Sequence, residues 1–403
     1  MKVLSIIAQK PSSTGSGVYL TELVKCFKDF GASQEIICGV YNEDKIADEE
    51  GIKFNKVIFN TKELPIKIAG MSDVMPYESI KYSDFVNDDI KLNYWVNAFR
   101  KKVRDTLISF CPDLIICHHL YLLTAQVVNI VEKLKSEKII SNCKIYGICH
   151  NTDLRQFRQT NLEREFIKEN IKKLDMVFAP SEDHASIAKE IFDLDDNKIK
   201  IIGIGYNNKI FYNKNENREK NSIIYVGKVA YKKGVMSLVK AINLLDNDSI
   251  VMDIVGGAGD KIEYDSILTE SKKSKSTIRF LGQKNQIELA DLYNKHNIFI
   301  LPSFSEGIPI VPLEALACGC KVIISDLPGV RDFLDKNVKD ASIRYVTLPK
   351  LLNVDEAEQE ELDKYEERLA ETIKECLDDK NRYEPCLTSV SWTNIAKLIY
   401  NAL

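Results

Sequence analysis

What this 403-residue chain has little of excludes several kinds of protein. No stretch approaches the roughly 20 consecutive apolar residues that a membrane-spanning helix needs. The opening Met1-Lys2-Val3-Leu4-Ser5-Ile6-Ile7 gives way to polar sequence at Gln9, too soon for the apolar core of a secretory leader. A cytoplasmic location is expected, with peripheral contact at the inner membrane face left open. The ten cysteines include no Cys-x-x-Cys pair, and Cys38, Cys117 and Cys149 sit in apolar runs. Buried, reduced thiols are expected rather than disulfides or a zinc site. Cys318-Gly319-Cys320 is spaced too tightly for ordinary metal ligation. Charge of one sign is also missing: 55 Lys and Arg face 59 Asp and Glu, a net charge of -4. The cluster Arg100-Lys101-Lys102-Val103-Arg104 is balanced elsewhere, so no general affinity for nucleic acid follows. No Ser/His/Asp nucleophile signature and no His/Glu metal cluster occurs. Asp193-Leu194-Asp195 follows a helix and runs into Asp196-Asn197, which reads as a turn.

What is present is an alternation of short apolar, β-branched runs with amphipathic stretches, the pattern of α/β architecture with parallel sheets. Strands are expected at Val3–Ala8, Glu35–Val40, Leu114–His118, Lys144–Cys149, Met176–Ala179 and Lys200–Ile204. Helices are expected at Val18–Phe30, Leu92–Phe110, Leu122–Leu134 and His184–Phe192. Gly205–Asn221, rich in Asn and Lys, breaks the pattern as a linker. The alternation then restarts, with strands at Ser222–Val226, Ile250–Val255, Ile278–Leu281, Ile298–Leu301 and Lys321–Ser325. Helices at Val235–Leu245, Ile287–Asn294 and Pro312–Ala317 lie between them. Two Rossmann-like doubly wound domains facing a central cleft are the expected fold. Residues 1–205 form the first domain, 206–221 the hinge, 222–385 the second domain and 386–403 a terminal helix. Lys56 to Asp89, with Gly70-Met71-Ser72-Asp73 and Met75-Pro76-Tyr77, reads as an irregular excursion. The acidic run Val354–Leu377 reads as a solvated helix. The last helix, Trp392–Leu403, carries Ile395, Leu398 and Ile399 on one face.

The densest motif runs from Pro302 to Gly319 and holds two carboxylates, Glu306 and Glu314. Glu306 and Gly307 fall in a strand-to-helix loop, and Glu314 falls in the first turn of a helix whose start suits Pro312. Glu314 is either an acid favoured by the helix dipole or a ligand contact, and Glu306 either a solvated charge or a ligand contact. The amides of Gly307, Ile308 and Ile310 can reach a phosphate or sugar; Pro309 lines the same loop but has no N–H. Loops after parallel strands bind anions, so the two carboxylates beside them suit a ligand with both phosphate and hydroxyls, such as a sugar nucleotide. A second motif, Ile223 to Lys228 followed by Tyr231-Lys232-Lys233-Gly234, places lysines on another strand-to-helix loop. Their ammonium groups can neutralise a diphosphate. Gly15-Ser16-Gly17 opens the first helix without the third glycine of a dinucleotide fingerprint. Gly256-Gly257-Ala258-Gly259, after a strand, reads as a tight βα turn or as lining of the second domain's cleft. His150 closes a strand and begins His-Asn-Thr-Asp-Leu-Arg, which includes Asp153 and Arg155. His118-His119 ends another strand, as acceptor contacts or as hydrogen-bonded strand-end histidines.

The Glu306-to-Glu314 string and the Lys228/Lys233 loop together resemble the signature of family 4 glycosyltransferases with the GT-B fold. The family's usual Gly-Arg is Gly227-Lys228 here, a point charge in place of a bidentate fork. The resemblance implies a retaining hexosyltransferase moving a sugar from a nucleotide donor, UDP foremost, to a hydroxyl acceptor in polysaccharide or glycoconjugate synthesis. It implies that Glu314 holds the ribose, Glu306 the donor sugar, Lys228 and Lys233 the departing diphosphate. His150 would meet the transferred sugar, and Gly15 and Gly17 would let backbone approach donor and acceptor. The acceptor (saccharide, lipid-linked or small molecule) would lie on the side of the first domain, and the final helix would return to that domain. No cofactor or metal and no nucleic-acid partner is expected. The alternatives are a GT-B relative of other chemistry, a nucleotide-sugar 2-epimerase or phosphorylase, and a non-catalytic sugar-nucleotide-binding module.

Overall fold

A computed structural model describes residues 1–72, 75–327, 329–353 and 355–403. Asp73 and Val354, at the margins of two segments singled out above, lie outside the described residues. The chain divides into two compact units: residues 1–203 with 395–403, and residues 204–394.

The first unit runs β1 (Lys2–Ile7), α1 (Gly15–Asp29), β2 (Ser33–Val40), β3 (Ile52–Ile58), β4 (Ala69–Gly70), β5 (Ile80–Lys81), α2 (Asp89–Phe110), β6 (Leu114–His118) and α3 (Leu122–Ser136). It continues with β7 (Lys144–Ile148), α4 (Thr152–Gln159), α5 (Arg164–Ile171), β8 (Met176–Ala179), α6 (Glu182–Phe192) and β9 (Ile199–Ile201). Seven strands pair in the order β3-β2-β1-β6-β7-β8-β9, all parallel. The inner strands are buried on both faces, hence their near-continuous Val, Ile and Cys. The order reverses between β1 and β6, so the loops leaving those strands flank the topological switch point where such sheets bind ligands.

The described part of the Lys56–Asp89 stretch is more regular than its sequence suggests. It begins inside β3, holds the small β4–β5 pair, and buries Phe59, Tyr82 and Phe85 against Trp95 and Phe99 of α2. Lys10 clasps it from the β1 loop, with its ammonium over the Tyr41 and Tyr77 rings and 2.6 Å from Asp44. The last first-unit strand stops at Ile201, short of the expected Ile204. α4 and α5 were not legible because each has eight residues, too few for a clear apolar period.

The second unit runs β10 (Ser222–Val226), α7 (Val235–Leu245), β11 (Val251–Val255), α8 (Lys261–Ser271), β12 (Thr277–Gly282), α9 (Gln286–Lys295), β13 (Ile298–Leu301) and α10 (Val311–Ala317). β14 (Lys321–Ser325), α11 (Val330–Asn337), β15 (Ile343–Val346), α12 (Gln359–Asp378) and α13 (Trp392–Tyr400) follow, α13 passing into the first unit's residues at Ile395. Six parallel strands pair as β12-β11-β10-β13-β14-β15, with the order reversing between β10 and β13. The 205–221 stretch has no helix or strand but is tied down. Arg218 donates to the carbonyls of Tyr293, His296 and Cys318, and Lys214 pairs with Asp291.

Two expectations about helices are corrected. α12 is not a solvated helix: Tyr365, Leu369, Ile373 and Cys376 form a stripe at spacings of four, four and three, buried on the side that meets α7. The surrounding acids masked that stripe, and one of them, Glu366, is itself buried beside Ser237 and Lys240. On α13 the buried side chains are Trp392, Ile395, Ala396 and Ile399, while Leu398 is exposed. Leu398 lies about 100° around the helix from Ile399. Ile373→Ala is expected to destabilise the second unit by about 2–5 kcal/mol, as for other buried aliphatic truncations. The checking measurement is urea unfolding; a loss below about 0.5 kcal/mol, the surface-substitution range, would restore the solvated reading.

Candidate functional site

In the second unit the switch point brings together the loops after β10 and β13. Beyond β10, Tyr225 donates its hydroxyl to the Lys228 carbonyl at 2.8 Å, bracing the turn. A single 3-10 turn, Tyr231–Lys233, leads to Gly234, whose φ of +66° and position make it glycine by necessity. A Cβ there would lie 2.0 Å from the Pro302 carbonyl oxygen. Phe304 N–H donates to the Lys232 carbonyl at 3.1 Å, completing a backbone seam between the loops.

That seam brings Lys233 and Glu306 together. Lys233 Nζ lies 2.7 Å from Glu306 Oε1, and the Ser303 hydroxyl donates to the same oxygen at 2.7 Å. The ammonium and carboxylate side chains keep 24% and 17% of their surface, so the pair is sheltered yet open to a ligand. Oε2 has no hydrogen-bond donor among the described residues. Burial, and then the Glu306 charge, push the Tyr225 phenol up. Among the described residues the amides of Gly307, Ile308 and Ile310 pair with no protein acceptor. A Cβ on Gly307 would meet nothing within 4 Å, so that loop face is open. Pro309 and Ile310 lead into α10, which carries Pro312 at its start and Glu314 in its first turn. Glu314 is buried, and after burial its charge is the next cause holding the Tyr293 phenol well above its ordinary range. Lys228 is exposed, and its aliphatic stem passes beside Gly259.

Two supports were missed from the sequence. Tyr365 of α12 donates to the Pro302 carbonyl at 3.1 Å and lies 2.9 Å from the Ser325 hydroxyl, with its ring edge-on to Phe304. Ser303 orients Glu306. The burial stripe of α12 was the available signal for Tyr365; for Ser303 only its place three residues before Glu306 was available.

The first unit gathers another group at its own switch point. Gly15 and Gly17 begin α1; Thr14 caps it by accepting from Gly17 N–H at 3.2 Å. A Cβ on Gly17 would lie 2.6 Å from the Lys10 carbonyl oxygen, so Gly17 allows the β1 loop to fold tightly, whereas Gly15 faces open space. His150, just past β7, lies within reach of Tyr19, His118 and His119. The sealed Asp153 carboxylate accepts the amides of His150, Leu120 and Leu154, tying the β6 and β7 loops together. Asp193 ends α6 in a left-handed conformation and pairs with Lys172.

Burial lowers His118 and His119 to about 3, and pushes His150 well below its ordinary value. The unfolded chain binds protons on these rings below about pH 6.5, while the folded chain resists until about 3. Stability from the cluster is therefore complete above about pH 6.5 and is lost as pH falls from there. The urea midpoint of the first unit is expected to drop between about pH 7 and about pH 5, above most carboxylate titration. A midpoint constant across that window would contradict the buried neutral histidines.

Residues 207–386 match the family model for glycosyl transferases group 1. A stretch of 162 residues, 37% of this chain, is 27% identical to 41% of an uncharacterised glycosyltransferase of Methanocaldococcus jannaschii. Another of 213 residues, 46% of this chain, is 28% identical to 54% of the N,N'-diacetylbacillosaminyl-diphospho-undecaprenol alpha-1,3-N-acetylgalactosaminyltransferase of Campylobacter jejuni. The chain thus spans about half the length of these curated relatives. Among solved structures, the sucrose-phosphate synthase of Thermosynechococcus elongatus superposes with a TM-score of 0.63 at 16% identity, covering 100% of this chain and 98% of that one. The chain has the GT-B fold, and most of its second unit, residues 207–386, matches the glycosyl transferases group 1 family.

Proposed function

We propose that the protein is a retaining glycosyltransferase that moves a sugar from a nucleotide donor, UDP-sugar foremost, to a hydroxyl acceptor in glycan synthesis. The observation that carries this reading is the Lys233–Glu306 pair beside the unpaired amides of Gly307, Ile308 and Ile310. A cation, free N–H groups and a carboxylate oxygen still open to a donor match a ligand with both phosphate and hydroxyls. The sequence similarity to a transferase named for a diphospho-undecaprenol-linked acceptor supports the glycan assignment.

In this mechanism a diphosphate entering the loop competes with Glu306 for the Lys233 ammonium, and exposed Lys228 adds a second positive charge. Glu306 Oε2 accepts a hydroxyl of the donor sugar, while Ser303 holds Oε1 in place. Glu314 holds the ribose. The bond from the anomeric carbon to the phosphate oxygen breaks, with its electron pair leaving on phosphate. The acceptor oxygen bonds the anomeric carbon on the same face, and the acceptor proton passes to the departing phosphate oxygen. Stabilisation of the leaving diphosphate by lysines and amides supplies most of the rate enhancement. His150 is the first unit's candidate for contact with a sugar hydroxyl.

A calorimetric panel of nucleotide sugars, followed by mass spectrometry of donor consumption with and without hydroxyl acceptors, tests the assignment. Acceptor-dependent transfer is expected; conversion of the donor without any acceptor, a requirement for inorganic phosphate, or binding with no turnover would overturn it. Lys233→Ala is expected to lower kcat by about 10²–10³, the range for losing one transition-state charge contact, with donor Kd changing less than about tenfold. An unchanged kcat would remove Lys233 from leaving-group stabilisation. Gly307→Ala is expected to leave stability unchanged and to weaken donor binding, because the added methyl has room in the fold but occupies the open loop face. Calorimetry on the refolded and native variant checks both halves.

A further inference from the structure

Three of the five histidines meet at the first unit's switch point, and the hydrogen bond that joins His118 to His150 has only two possible arrangements. The His118 and His150 rings lie within 18° of parallel and meet edge to edge, His118 Nδ1 being 3.0 Å from His150 Nε2. Burial keeps both rings neutral near neutral pH, so one proton lies between these nitrogens and each ring holds one N–H. If His150 donates from Nε2, the proton of His118 must sit on its Nε2. That atom is sealed from solvent and has no acceptor among the described residues. If His118 donates from Nδ1 instead, its Nε2 is left as a bare lone pair, and His150 carries its proton on Nδ1. A buried N–H without an acceptor is the rarer defect, because a lone pair is more easily left unused.

The geometry points to His118 as a positioning residue that locks His150 in the Nδ1–H tautomer, so that His150 offers a ligand a hydrogen-bond donor and no basic nitrogen. His118 is 2% exposed and cannot itself reach a ligand, whereas His150 is half-buried and its Nδ1 has no partner among the described residues. The other groups around the His150 ring do not change the assignment. Tyr19 from α1 stands edge-on at 5.3 Å, and burial keeps its phenol protonated. His119 lies 4.8 Å away and is held neutral by burial. The Cys149 thiol is likewise pushed up by burial. Asp153 bonds to the His150 backbone amide and to two other amides. Resting on the transferase reading, this deepens it: a hydroxyl-bearing ligand at the first unit's switch point meets a hydrogen-bond donor at His150. His150 does not take a proton from a hydroxyl bound there.

The test uses the full chain with 15N in the histidine rings and long-range proton–nitrogen correlation at neutral pH, which distinguishes Nδ1–H, Nε2–H and imidazolium. Loss of signals in His150→Gln assigns that ring. Wild-type His150 is expected as Nδ1–H, opposite to the Nε2–H preference of a free imidazole side chain. His118→Asn, whose amide N–H takes the place of Nδ1–H, should retain that tautomer. His118→Asp, which offers an acceptor and no donor at neutral pH, should place a proton on His150 Nε2. A wild-type Nε2–H or imidazolium spectrum, or a His118→Asp spectrum in which His150 Nε2 stays unprotonated, would overturn the proposal. If His118→Asp does not fold, the wild-type and Asn spectra decide. The spectra need no substrate, so a failure of transferase activity would sink the proposed function without touching the tautomer result.

Discussion

The candidate site in the second unit depends on one close approach: Gly234 passes so near the Pro302 carbonyl that no side chain fits between them. This contact holds the lysine loop after β10 against the carboxylate loop after β13, and it sets the distance between Lys233 and Glu306. Neither charge would be worth much alone on a solvated loop. Held together in partial shelter, they form a polar nest that a phosphate can enter and a sugar hydroxyl can complete. Tyr225 on one side and Tyr365 on the other brace the two loops from within the unit.

The first unit uses the same device with different chemistry. Its switch point is neutral where the second is charged: the buried His118 and His119, the half-buried His150 and a phenol replace the lysine and carboxylate. Asp153 spends its carboxylate on backbone amides, fixing the loops after β6 and β7 rather than facing a ligand. A rigid neutral donor such as His150 suits contact with sugar oxygens, where a charge would need its own counter-ion.

Much of this was legible because parallel sheets buried on both faces write themselves as apolar runs. Leu114–His118, Met176–Ala179, Ser222–Val226, Ile298–Leu301 and Lys321–Ser325 were readable to the residue. The Glu306, Gly307 and Lys233 positions were readable because glycine, proline and charge punctuate βα loops. α4, α5 and α8 were not, because short polar helices leave no periodic stripe; Ile267 is the one fully buried residue of α8. The burial of α12 was hidden by its acids, and with it the support that Tyr365 gives to Pro302. The His118–His150 contact joins residues 32 apart through the pairing of β6 with β7, which no local pattern reports.

On the proposed reading the loops Lys228–Gly234 and Glu306–Ile310 together form the donor-phosphate site, and hydrogen exchange of the full chain with and without UDP decides whether they do. The amides of Gly307, Ile308 and Ile310, unpaired in the free protein, are predicted to exchange more slowly when UDP is bound, together with those of the lysine loop. Protection confined to other loops, with these amides exchanging as before, would contradict the account.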